Sequence, residues 1–203
     1  MTAVRQTVVE VETPAGTARA TVEGTGPALA VLGHGAGGGI EAGDLRAVTA
    51  ALLERGWTVA RVEQPYRVSG RRAPDRAPKL DAAWTAVVEH LRAEMSGPLL
   101  LGGRSSGARV ACRTASVLDA DAVACLAFPL HPPGKPESSR ADELDLVGDI
   151  PLLVVQGERD AFGTAAEFPP AVRVVTVEGD HSLRRTTPVA AAVVEWLAAQ
   201  RLT

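Results

Sequence analysis

Short apolar runs alternating with segments of helical period predict an α/β protein, built on one open, mainly parallel sheet with helices on both faces. Residues 28–32, 99–101 and 122–128 are apolar at consecutive positions, which suits strands buried on both sides. Leu80, Trp84, Val87, Val88, Leu91 and Met95 instead recur at helical spacing and mark one face of a helix. Sheets of this kind bind ligands beyond the carboxyl ends of their strands, so the loops that follow the strands are where chemistry is sought.

The chain opens with Val8, Val9 and Val11, then Ala18, Ala20 and Val22, on either side of Thr13-Pro14-Ala15-Gly16. That turn chemistry predicts an antiparallel hairpin. The strand at 28–32 runs into the glycine-rich 33–39, and Leu45, Val48 and Leu52 mark a helix with Asp44 as its cap and Gly56 as its stop. A strand follows at 57–62, then a long polar loop at 64–79 ahead of the helix that carries Trp84. Beyond 99–101, residues 108–118 are apolar nearly all round, as in a helix packed on a sheet, and 122–128 is the next strand. Residues 129–148 are proline-rich and charged. Two further buried strands are expected at 152–155 and 172–177, and Thr187-Pro188 starts a last helix with Val189, Val193, Trp196 and Leu197 inward.

The turn after Leu101 reads Gly103-Arg104-Ser105-Ser106-Gly107, a G-x-S-x-G pattern between a strand and a helix. A serine at such an apex needs a crowded backbone, so its neighbours two positions away must lack a bulky Cβ. The amides that open the next helix face the apex, where their dipoles favour a developing oxyanion. Ser105 is therefore the candidate nucleophile and the Ser106 amide one candidate oxyanion donor. Ala36, in the first glycine-rich loop, is the second, with Gly37 an alternative.

A serine hydroxyl needs a base to take its proton, commonly an imidazole oriented by a carboxylate. Asp160 follows the penultimate strand and His181 follows the last, giving the order Ser, Asp, His. Glu158 and Asp180 are competing acids, but the first sits at the strand end and the second adjoins His181 along the chain, where its ring is awkward to reach. Other polar residues in these loops, His34, Tyr66, Arg71, Arg72, Arg104 and His131, are candidates to bind substrate, with His34 expected chiefly to shape its own loop. The basic loop holding Arg67, Arg71, Arg72, Arg76 and Lys79 is opposed locally by Asp75 alone, which suggests arginines over the pocket and a preference for acidic substrates.

Residues 34–39, the serine motif, Gly157-Glu158-Arg159-Asp160 and Gly179-Asp180-His181 together resemble the α/β-hydrolase superfamily, in particular its small dienelactone-hydrolase-like members. The resemblance covers nearly the whole chain. It implies a three-layer α/β-hydrolase fold, one domain over residues 1–203 with no separate cap domain, and Ser105, Asp160 and His181 as a triad cleaving a small ester, thioester or related acyl bond. It implies neither metal nor organic cofactor. The segment 128–134 resembles a subgroup that includes regulatory and scaffold homologues, so a non-catalytic interaction domain is the alternative.

Gly33-His34-Gly35-Ala36-Gly37-Gly38 also fits a dinucleotide-binding pattern, but the helix is expected only near Asp44, too late to cap a pyrophosphate. A formal net charge of −3 supplies no global attraction to nucleic acid or anionic membrane. Cys112 and Cys125, the only cysteines, lie in apolar segments without metal-site spacing and are expected as buried thiols. No long apolar run or leader pattern is evident, so a cytoplasmic location is expected. Nothing in the sequence specifies an oligomeric state.

Overall fold

The computed structural model describes residues 6–202. Strands β1 (Gln6–Thr13) and β2 (Gly16–Glu23) form the expected hairpin, with Thr13 opposite Gly16. The hydroxyl of Thr13 donates to the Gly16 carbonyl at 2.6 Å and accepts the Ala15 amide at 3.1 Å, and Gly16 has φ 108°. That left-handed turn needs a residue without a Cβ.

From there strands and helices alternate. Strand β3 (Leu29–Gly33) leads to α1 (Gly43–Leu53) and β4 (Thr58–Glu63), and a single helical turn, α2 (Pro65–Val68), precedes α3 (Ala77–Arg92). Strand β5 (Leu99–Arg104) turns sharply into α4 (Ser106–Thr114), which is followed by β6 (Ala122–Leu126) and α5 (Ala141–Asp145). Strand β7 (Leu152–Gly157), a 3-10 turn (Ala165–Glu167), β8 (Arg173–Val177) and α6 (Thr186–Ala199) complete the described chain. The eight strands form one sheet in the order β1-β2-β4-β3-β5-β6-β7-β8. Pairings β1–β2 and β2–β4 are antiparallel and all others parallel.

Successive side chains of the central strands enter opposite cores, as the pleat requires. Leu99 and Leu101 join Trp84, Val87, Val110 and Ala111 beneath α3 and α4. Leu100 joins Leu45, Val48, Val193 and Leu197 beneath α1 and α6. Burying both faces anchors β5 at the centre of the sheet, and β5 carries Ser105 at its end.

Four expectations are corrected. Asp44 is not a cap; it lies inside the first turn of α1, buried, where its Oδ2 sits 2.9 Å from Arg104 Nε. The loop expected at 64–79 is partly helical, because Pro65 presets the first turn of α2 and α3 already begins at Ala77. The helix expected over 108–118 spans Ser106–Thr114 and runs out into turns. Strand β8 is a sheet edge with only Val177 fully buried, not a strand covered on both faces. Among the described residues no helix is long and apolar enough to cross a membrane.

Candidate active site

Three loops at the carboxyl ends of the parallel strands converge on Ser105. The residue has φ 52° and ψ −111°, the strained turn anticipated from its flanking glycines. Those glycines are required by packing as well: a Cβ on Gly103 would lie 2.5 Å from the Gly33 carbonyl oxygen, and one on Gly107 would lie 2.3 Å from it. The main chain of β3 thus abuts the turn on both sides of the serine. The Ser105 amide donates to the Leu126 carbonyl at 2.9 Å, which fixes the apex against β6.

His181 Nε2 lies 3.0 Å from Ser105 Oγ, and His181 Nδ1 lies 2.8 Å from Asp160 Oδ2. A carboxylate accepts only, so Nδ1 carries the proton and the Nε2 lone pair faces the serine hydroxyl. Asp160 is buried and its orientation is over-determined: Oδ2 also accepts from Gln156 Nε2 at 2.9 Å, and Oδ1 accepts from the Phe162 amide at 2.9 Å. The His181 ring packs on Phe162 with centroids 4.2 Å apart. Glu158 is exposed and its nearest cationic partner is Arg159, whereas Asp180 accepts from the Ser182 amide in its own turn. Neither competing acid reaches the imidazole.

Ala36 and Ser106 line a cleft of about 260 Å³ together with Ser105. Ser106 opens α4, where an amide has no acceptor within its own helix. The Ala36 loop is tied down from behind. Its carbonyl accepts from the Tyr66 hydroxyl at 3.0 Å, and the neighbouring Gly35 carbonyl accepts from His34 Nδ1 at 2.8 Å. His34 Nε2 in turn accepts the Gln64 amide at 3.2 Å, so the ring is neutral, and burial holds its pKa below the ordinary value.

The side chains expected to bind substrate are placed elsewhere. His34 and Tyr66 are buried behind the Ala36 loop. Arg71 forms an ion pair at 2.7 Å with Asp75, four residues on in the same irregular loop, and Arg72 is exposed there. Arg104 bridges Asp44 and the His181 carbonyl. His131 lies between the Pro132 carbonyl at 2.9 Å and Glu167 at 3.0 Å, and that carbonyl, with the carboxylate behind it, raises its pKa. The polar walls of the cleft are instead Asp75, Arg109, Arg113 and Arg140, with Leu80, Pro129 and Phe162 as apolar lining. Arg109 had a readable signal, since it lies one helical turn beyond Ser105 on the helix the serine opens. Arg140, in an irregular segment, had none.

Cys112 of α4 and Cys125 of β6 are buried free thiols whose sulfurs lie 3.4 Å apart beneath the site. Among the described residues no group of three or more His, Cys, Asp or Glu side chains is arranged to hold a metal ion.

Residues 26–195 match the family model of the alpha/beta hydrolase domain. No curated protein matches the sequence. Among solved structures, XC6422 from Xanthomonas campestris, described as an a/b serine hydrolase without lid, is similar at 21% identity over 96% of this chain and 94% of that one, with a TM-score of 0.79. Est1E from Butyrivibrio proteoclasticus is similar at 17% identity over 97% and 99%, with a TM-score of 0.78. An alpha-beta serine hydrolase homologue from Coxiella burnetii is similar at 17% identity over 94% and 97%, with a TM-score of 0.76. At these identities the likeness is one of fold.

Proposed function

The chain belongs to the alpha/beta hydrolase domain family, and from that premise we propose that it is a serine hydrolase that cleaves a small ester, thioester or related acyl bond through an acyl-enzyme. The supporting observation is the unbroken hydrogen-bonded line from Ser105 Oγ through His181 to Asp160, beside an open cleft. We read residues 1–203 as one catalytic domain without a separate cap.

In this reading Ser105 Oγ attacks the acyl carbon as its proton passes to His181 Nε2. The carbonyl π pair moves onto oxygen, and the amides of Ala36 and Ser106 stabilise that oxyanion; each such donor contributes roughly a hundred-fold or more in rate. Collapse of the tetrahedral species breaks the bond to the leaving group, which departs with the proton from His181. Water then attacks the acyl-enzyme, giving up one proton to His181, which passes it to Ser105 Oγ as the bond from Oγ to the acyl carbon breaks and the acid is released. Asp160 keeps the imidazole in the required tautomer and offsets its transient positive charge.

Hydrolysis of 4-nitrophenyl esters of graded acyl length tests this reading. Wild type turns over the short esters, and Ser105→Ala loses at least about a thousand-fold in kcat. Near-normal turnover by that variant would remove Ser105 as nucleophile. Absence of turnover in wild type on every ester, thioester and amide offered would favour a non-catalytic binding domain.

A further inference from the structure

We propose that Arg140 is an anion-recognition residue in the cleft beside Ser105, and that the substrate carries a carboxylate near its scissile acyl bond. This deepens the hydrolase reading and rests on it for the word substrate.

Arg109, Arg113 and Arg140 line one wall of the cleft. Glu143 takes Arg109 through two contacts of 2.7 and 2.6 Å and also reaches Arg113 at 3.2 Å, while Asp81 takes Arg113 through contacts of 2.8 and 2.6 Å. Three guanidiniums therefore face two carboxylates. Arg140 is the one left over: no carboxylate oxygen among the described residues comes within 4.0 Å of it. Asp75, the carboxylate in the cleft lining, is itself paired with Arg71 and Lys79, so it does not serve Arg140. The chain as a whole has a formal charge of −3, so this positive excess is local to the cleft and not a reflection of composition.

Arg140 is also held in place before any ligand arrives. Its Nη1 donates to the Pro129 carbonyl at 2.7 Å, and its amide donates to the Leu130 carbonyl at 2.7 Å. Pro129 follows β6, the strand whose Leu126 carbonyl holds the Ser105 amide. The guanidinium and the nucleophile are thus anchored to one strand end. One contact to Pro129 leaves other N–H groups of the guanidinium to bind, and their planar fork matches a carboxylate. The cleft volume of about 260 Å³ matches the size of a small anionic ester, such as the half-ester of a short diacid.

The test compares kcat/KM on matched pairs. One pair is the 4-nitrophenyl half-ester of glutaric acid against 4-nitrophenyl pentanoate, and the other is 4-acetoxybenzoate against phenyl acetate, so that the carboxylate lies on either side of the scissile bond. Wild type favours the anion in at least one pair. Arg140→Gln lowers that preference about ten- to a hundred-fold, the range of a charge-assisted hydrogen bond. Arg140→Lys restores part of it, and Arg72→Ala leaves it in place. A preference that survives Arg140→Gln, or no anion preference in either pair, overturns the inference.

A turnover-free readout separates this failure from failure of the hydrolase reading. Monomethyl glutarate is titrated into Ser105→Ala and into Ser105→Ala/Arg140→Gln, followed by NMR, with circular dichroism to show that both variants are folded. The double variant binds at least about ten-fold more weakly. Equal affinities, or no saturable binding to either, overturn the anion site whatever the outcome of the ester assays.

Discussion

Arg104 Nη2 donates to the main-chain oxygen of His181 at 2.8 Å, so the residue that precedes Ser105 holds the loop that carries His181. The same guanidinium lies 2.9 Å from buried Asp44, at an angle outside hydrogen-bond geometry, so that contact is electrostatic. Burial raises the Asp44 pKa while Arg104 opposes the rise. One arginine thereby couples α1, the serine turn and the His181 loop.

Arg104→Gln releases the His181 loop without touching the triad itself. A displacement of the base by about 1 Å costs on the order of a hundred-fold, so kcat falls by roughly that factor with a smaller change in KM. Asp44→Asn, which leaves the partly solvated arginine without its counter-charge, lowers unfolding free energy by about 1–3 kcal/mol. Steady-state kinetics and urea unfolding check the two effects separately. Unchanged kcat in Arg104→Gln would show that the His181 loop holds itself.

Asp160→Asn is expected to reduce turnover about 10³- to 10⁴-fold, because the asparagine amide favours the wrong imidazole tautomer. The Phe162 amide keeps its acceptor, and Gln156 Nε2, which loses one, keeps the Phe128 and Gly163 carbonyls, so the fold survives. Glu158→Gln, at an exposed position, changes kcat/KM by less than about two-fold if it does no more than face solvent. The reverse ranking would reassign the acid.

Gly107→Ala would drive a Cβ to 2.3 Å from the Gly33 carbonyl oxygen, and neither main chain can retreat without moving the central strands. Overpacking of this kind costs upwards of about 1–3 kcal/mol. Gly39, whose added Cβ would meet nothing within 4 Å, accepts alanine with a change below about 1 kcal/mol. Thermal melts of the two variants check the contrast.

His34 makes stability depend on pH with a definite sign. Burial lowers its folded-state pKa below the ordinary 6.5, so the unfolded chain binds this proton before the native protein does. Stability therefore falls as pH drops below about 6.5. His34→Gln keeps a polar atom toward the Gln64 amide and removes the titration. Urea midpoints at pH 7.5 and 5 should differ less in the variant than in wild type, and an equal or larger difference would remove His34 as a source.

The fold and the meeting of Ser105, His181 and Asp160 are legible because both are written locally. Two-sided apolar runs define the strands, and Ser105, Asp160 and His181 each follow a strand end, where topology alone brings them together. The cleft wall was not legible in the same way. Loop charge suggests Arg71 and Arg72 over the pocket, yet Asp75, close by in the same loop, takes Arg71 in a local ion pair. Asp44 looked like a cap because its partner, Arg104, lies 60 positions away in the chain and meets it only through packing. Arg140 reaches the cleft through a bond to Pro129 that no periodicity announces.

Activation of Ser105 as a nucleophile is read from intact-protein mass after exposure to a fluorophosphonate. Attack by Ser105 Oγ on phosphorus expels fluoride, and the hydroxyl proton leaves through His181. Wild type should gain the mass of one phosphonyl group, mapped to the peptide containing Ser105, and Ser105→Ala should gain none. An unlabelled wild type, or equal labelling of the alanine variant, would show that Ser105 is not an activated nucleophile.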